Sequence, residues 1–145
     1  MPLPPPQPQS LPLLLRWLSL LAGCVVLGLL ITARCLTPAE VGYGSHQQLG
    51  LPACTSIALF GATCPACGMT TAWAWATRGQ LAQAVHANAG GCLLALIALA
   101  YLPLSCYFWC CGRTSLRGRW SLLFGMCILA ALVVATLQWI IRLSN

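Results

Sequence analysis

Residues 11–32, 90–111 and 121–141 form three apolar stretches, and the only charge in any of them is Arg16 near the start of the first. The hydrocarbon core of a bilayer takes about 20 apolar helical residues to cross. Each stretch meets that length. A water-soluble domain of this size carries about a quarter of its residues charged, whereas this chain has 6% charged and 59% hydrophobic residues. The missing charge has to face something other than water, and lipid satisfies that requirement. The expected fold class is therefore an all-α integral membrane protein with about three transmembrane helices.

The charges that are present follow the same logic. The chain has seven arginines, no lysine and a single acid, Glu40. The arginines sit at the ends of the apolar runs, as membrane topology requires. They make no basic stripe interleaved with aromatic residues, so nucleic acid is not an expected partner. One carboxylate cannot supply a glycosidase pair or a carboxylate-rich calcium site. Without lysine, Schiff-base catalysis on that side chain is closed. Reactivity is left to ten cysteines, two histidines and the hydroxyls.

Along the chain, residues 1–10 read as a proline-rich disordered tail. The first span follows at 11–32, where Arg16 can reach back toward head groups. Leu21-Ala22-Gly23-Cys24 has the form of a lipoprotein cleavage box, but the apolar run continues through Ile31 and argues for an uncleaved helix. Residues 33–89 form a loop and a broken segment. Pro52, Gly61, Pro65 and Gly68 interrupt an uncharged run there, so two short helices near 53–60 and 65–77 fit better than a fourth span. Such a segment is expected to be re-entrant or interfacial, since irregular backbone at membrane depth needs cover from protein. A further short helix fits 79–86, and Asn88 is placed to cap the span at 90–111, which Pro103 is placed to kink. Residues 112–120 form a loop with Arg113, Arg117 and Arg119, and the last span is 121–141. Trp17, Trp109, Trp120 and Trp139 lie near span ends as interfacial anchors. Small residues mark helix-facing positions in lipid, which nominates Gly23 and Gly28 on the first span and Ala130, Ala131 and Ala135 on the last.

The arginine-rich loop at 112–120 is expected inside the cell, which puts residues 44–88 on the non-cytoplasmic side. The most informative string lies in that outer segment: Cys54, then Cys64-Pro65-Ala66-Cys67-Gly68-Met69-Thr70-Thr71. A helix starting near Pro65 would set Cys64 at its cap and Cys67 one turn later, with the helix amino terminus favouring thiolate. Cys54, Cys64 and Cys67 are then candidates for a disulfide or for redox exchange, or, joined by His46, for a tetrahedral zinc site. His86 is the alternative fourth ligand. Cys24, Cys92, Cys106, Cys110, Cys111 and Cys127 lie in or at the ends of spans and read as small apolar side chains. Glu40, Ser45 and His46 do not compose a nucleophile–base set, because adjacent side chains diverge and no nucleophile elbow surrounds Ser45.

The residues from Gly44-Ser45-His46-Gln47-Gln48-Leu49-Gly50-Leu51-Pro52-Ala53-Cys54, through Cys64-Pro65-Ala66-Cys67-Gly68-Met69-Thr70-Thr71-Ala72, to Gly79, Ala84 and Asn88 resemble the DUF2752 family of small bacterial membrane proteins. The resemblance covers about residues 44–110. Many members carry Arg after the motif threonine and Pro after the Asn, where this chain has Thr71 and Ala89. The resemblance implies a bacterial inner membrane and the same three cysteines, and it carries no biochemical activity. From sequence, then, the chain is expected to be a non-enzymatic structural or interaction subunit with a disulfide-stapled loop and no cofactor. Its expected partners are the lipid bilayer and other membrane proteins. The alternative is a thiol–disulfide or zinc-handling protein using Cys64 and Cys67.

Overall fold

The computed structural model describes residues 9–114 and 117–144. The proline-rich tail, apart from its last two residues, and part of the basic loop thus lie outside the described residues. The elements are α1 (Leu13–Cys35), a 3-10 turn (Ser45–Leu49), α2 (Thr55–Phe60), α3 (Met69–Ala76), α4 (Leu81–Cys111) and α5 (Arg117–Leu143). A two-residue antiparallel pairing of β1 (Gln9–Ser10) with β2 (Arg113–Thr114) is the sole sheet structure among the described residues.

Three helices are long and apolar enough to cross a membrane: Leu13–Cys35, Leu81–Cys111 and Leu122–Leu143. The chain is an all-helical membrane protein. α2 and α3 have six and eight residues, about 9–12 Å at 1.5 Å per residue, far short of a 30 Å core. They form the broken segment expected from the glycines and prolines.

α4 is the central helix, packing against α1, α3 and α5. Small residues make this possible. Ala72, Ala76, Ala84, Ala87, Cys92 and Ala95 form the buried cluster between α3 and α4. Lipid offers no hydrophobic drive between helices, so close backbone approach carries the packing. Gly90 meets α5 so closely that a Cβ there would run into the Ala131 carbonyl and the Ala135 side chain. Gly23 likewise lies against Ser105 of α4.

Two of the nominated packing positions are corrected. Gly28 has nothing within 4 Å of where its Cβ would be, and Ala130 is exposed while Ala131 and Ala135 are buried. Helical periodicity explains both. Residues at i and i+4 share a face, as 131 and 135 do, whereas positions one or five apart point elsewhere.

α4 starts earlier than the expected span at 90, because the short helix before it runs into the same element. The two parts are divided at Asn88, whose backbone is extended (φ −166°, ψ 110°). Asn88 Oδ1 accepts the Gly91 amide at 2.7 Å, the cap expected at this position. The dihedral break in α4 is at Asn88, and Pro103 lies inside helical backbone.

The orphan backbone groups at this break are claimed by α5. Gln138 Nε2 donates to the Val85 carbonyl at 3.0 Å, and its Oε1 accepts the Ala89 amide at 2.7 Å. Arg142 Nη2 donates to the carbonyls of His86 and Ala87. A broken helix in a bilayer survives where its freed polar groups find such partners.

The ends of the bundle are distinct. Arg16 donates to the Trp109 carbonyl and its guanidinium lies 5.6 Å from the centre of the Trp109 ring. The start of α1 therefore meets the end of α4. At the opposite end, Arg78 donates to the carbonyls of Arg34 and Leu36 at 2.9 and 2.7 Å, tying the α3–α4 turn to the end of α1. The cysteine motif sits at this second end.

Candidate metal centre

Cys54 precedes α2 as its cap residue, while Cys64 and Cys67 lie on the turn leading into α3. That turn is closed by the Cys67 amide on the Cys64 carbonyl at 3.0 Å. The expected helix from Pro65 does not form, and α3 starts only at Met69. Gly68, at φ 84°, is the reason: a left-handed residue ends one hydrogen-bonded run and caps the next. Gly68 is required twice over, since a Cβ there would lie 2.5 Å from the Ala87 carbonyl oxygen and 2.6 Å from that of Gly42.

The turn is anchored from α4. Asn88 is 2% exposed, and its Nδ2 donates to the carbonyls of Pro65 and Cys67, each at 3.0 Å. Both amide hydrogens and the amide oxygen of Asn88 are thus engaged. Sequence reasoning assigned Asn88 the cap and missed this second role. The available signal was its isolation as a polar residue within the small, apolar run Ala87 to Ala100.

The three thiols converge. Cys54 and Cys64 sulfurs are 3.8 Å apart, Cys64 and Cys67 3.6 Å, and Cys67 and Cys54 3.4 Å. All three are free thiols. Zinc–thiolate bonds of about 2.3 Å in a tetrahedron require sulfurs about 3.8 Å apart. The observed triangle is slightly tighter than that. An ion at zinc–sulfur distance from all three would sit about 1 Å off their plane, as a tetrahedral ion sits above three of its ligands.

The thiols differ in character. Cys67 is buried, and that burial pushes its pKa up to about 12. Cys54 is held below the ordinary thiol value, first by the hydrogen bond from Cys67 and then by the amides of Ser56 and Ile57. The expected thiolate-favouring helix terminus therefore does not act on Cys67, which lies ahead of the α3 cap residue.

All three thiols line one cavity of about 420 Å³, together with Tyr43, His46, Leu51, Ile57 and Met69. His46 is in that cavity but outside the thiol cluster, and its Nε2 lies 3.2 Å from the Pro52 carbonyl. It rides on the 3-10 turn, which is flanked by Gly44 and Gly50, both left-handed. Ser45 is buried, with its hydroxyl 2.9 Å from that of Thr71 and accepting the Ala39 amide at 3.0 Å. Ser45 is thus a structural hydroxyl that joins the turn to α3, and His46 does not activate it. Thr71 is fully buried in this contact.

Residues 54–102 match the family model described as a protein of unknown function, DUF2752. The matched segment opens on Cys54 and ends within α4, so it holds the three thiols, Gly68, Asn88 and the break that Asn88 caps. His46 and the clasp residues Gln138 and Arg142 fall outside it. No curated protein and no solved structure gives a significant match to the chain.

Proposed function

We propose that this chain is a membrane-embedded metal-binding protein in which Cys54, Cys64 and Cys67 hold a thiophilic divalent ion of the zinc class. The observation that carries the reading is the sulfur triangle, with edges of 3.4, 3.6 and 3.8 Å. A disulfide unites two sulfurs and leaves the third without a role. A tetrahedral ion uses all three and leaves one position directed into the cavity. His46, carried on a turn between two glycines, is the side chain in reach of that cavity to complete the set. Bound there, the ion fixes the loop between Cys54 and Cys67 against α3 and α4, so metal binding and local folding are one equilibrium.

A second reading is thiol–disulfide exchange, and the contrast between Cys54 and Cys67 favours it. A thiol held low attacks, and a buried one held high resolves slowly. A stapled interaction subunit is the third outcome. Mass-spectrometric alkylation of the purified chain separates all three. A metal site resists alkylation until a chelator is added and releases one ion per chain. A redox pair opens under mild reductant, and a structural staple opens only under strong reductant. Free alkylation of all three thiols without treatment defeats the metal reading.

For topology, we propose that the thiol end faces away from the cytoplasm, on the strength of the arginine loop at 112–120. Reporter fusions at Gly118 and at Asn88 are expected to show cytoplasmic and non-cytoplasmic activity respectively. The same reporter active at both sites would refute it.

A further inference from the structure

A second cavity, of about 480 Å³, opens at the same end of the bundle, between the segment at 41–43, the first part of α4 and the end of α5. Its lining includes Tyr43, Thr63, His86, Gln138 and Arg142. Gln138 is spent on the break in α4, with both ends of its amide engaged. Arg142 is only half spent: Nη2 holds the carbonyls of His86 and Ala87, while Nε and Nη1 have no partner among the described residues. The Tyr43 hydroxyl and the His86 ring likewise have none. Two guanidinium N–H groups, Nε and Nη1, with a phenol and an imidazole therefore line one cavity as donors without a partner among the described residues. Among the described residues no carboxylate side chain lines it, and Glu40 is the only acidic side chain in the sequence.

Such a donor set selects an oxyanion, because each remaining guanidinium N–H gives a charge-assisted hydrogen bond and the phenol and imidazole add neutral ones. The position of the cavity narrows the choice further. Arg142 lies in the last turn of the candidate span Leu122–Leu143. Trp139 lies one turn earlier, as expected at head-group depth. The α5 surface below is apolar, with Leu137 55% and Ile140 51% exposed. A free phosphate would use only the donors. A phospholipid would also lay acyl chain along that apolar face. We propose that this cavity binds the phosphate head group of an anionic phospholipid.

The test uses the full chain in phosphatidylcholine vesicles containing 30% phosphatidylglycerol, with spin-labelled lipids reporting the lipid held at the protein surface. The wild type is expected to prefer phosphatidylglycerol over phosphatidylcholine by about fivefold, the effect of one basic residue at a membrane surface. Arg142→Gln removes the charge but also loosens the break in α4. Tyr43→Phe and His86→Gln are expected to keep the fold intact, because neither side chain has a hydrogen-bond partner among the described residues. Each of these two is expected to lower the preference, and both together to lower it at least twofold, because the head group is then held less closely to Arg142, whose charge keeps the remainder. Arg34→Gln, an exposed arginine at the same end but outside the cavity, should leave it unchanged. The proposal is overturned if the double variant keeps the wild-type preference, or if Arg34→Gln lowers it as much. It is also overturned if inorganic phosphate at constant ionic strength abolishes it at millimolar concentration, since the site would then be one for free phosphate.

Discussion

Replacing Asn88 tests how the helix break and the thiol site depend on each other. The side chain makes three buried hydrogen bonds: the cap to Gly91 and the anchors to Pro65 and Cys67. A buried hydrogen bond contributes a net of about 1 kcal/mol, and an N-cap about the same. Asn88→Ala should therefore destabilise the chain by about 3 kcal/mol, roughly 150-fold in the folding equilibrium. Asn88→Ser separates the contributions. Serine is a competent cap but too short to reach the Cys64–Cys67 turn, so it should recover about 1 kcal/mol. The two anchor bonds remain lost in both variants. They lie within the Cys64–Cys67 turn, so metal affinity should fall by up to about 30-fold in both, the equivalent of about 2 kcal/mol. Stability is read by titrating detergent-solubilised protein with a denaturing detergent. Affinity is read from the sulfur-to-cobalt charge-transfer band during cobalt titration against a competing chelator. Two results would refute the reasoning: Asn88→Ser binding cobalt like the wild type, or Asn88→Ala lying within about 0.5 kcal/mol of it in stability.

Three further outcomes follow from the geometry. Gly68→Ala puts a Cβ 2.5 Å from the Ala87 carbonyl oxygen at φ 84°, so it should cost upward of about 3 kcal/mol and abolish cobalt binding, as measured by the same two assays. Gly23→Leu, against Ser105, should separate α1 from α4 and lower the unfolding midpoint, while Gly28→Leu, with open space around it, should stay within about 0.5 kcal/mol of the wild type. In the metal-free chain, Cys67 keeps its proton up to about pH 12 while an unfolded thiol loses it near the ordinary value of 9.0. Its contribution to stability is thus complete below pH 9 and is lost as pH rises toward 12, whereas cobalt affinity falls as pH drops because protons compete for the same sulfurs. Stability titrations above pH 9 and cobalt titrations below it check the two arms.

What the sequence showed depended on how local each signal is. The three spans are legible because uncharged length is a property of consecutive residues. The broken segment is legible from Pro52, Gly61, Pro65 and Gly68 for the same reason. The cap at Asn88 also follows from its neighbours alone. The anchors from Asn88 to Pro65 and Cys67, by contrast, join residues separated by more than twenty positions and depend on how α3 lies against α4. The clasp of Gln138 and Arg142 on the break in α4 is more distant still. Gly68 was visible as a glycine, but its left-handed backbone, which turns the Cys-Pro-Ala-Cys string into a capped turn instead of a helix start, and the two carbonyls beside it were not. The three cysteines were nominated together from the motif. Their near-equal spacing, which shifts the reading from a staple to a metal centre, appears only in three dimensions.

The most direct measurement is zinc K-edge X-ray absorption on the chain purified without chelator and loaded with one equivalent of zinc. The metal-centre account predicts a shell of three sulfurs at about 2.3 Å and one nitrogen or oxygen ligand at about 2.0–2.1 Å. His46→Ala should exchange an imidazole scattering pattern for that of a water ligand without changing the sulfur count. Cys54→Ser, Cys64→Ser and Cys67→Ser should each reduce the sulfur shell by one or abolish binding. A wild-type spectrum with fewer than three sulfurs, or zinc that washes away while the thiols alkylate freely, would contradict the account.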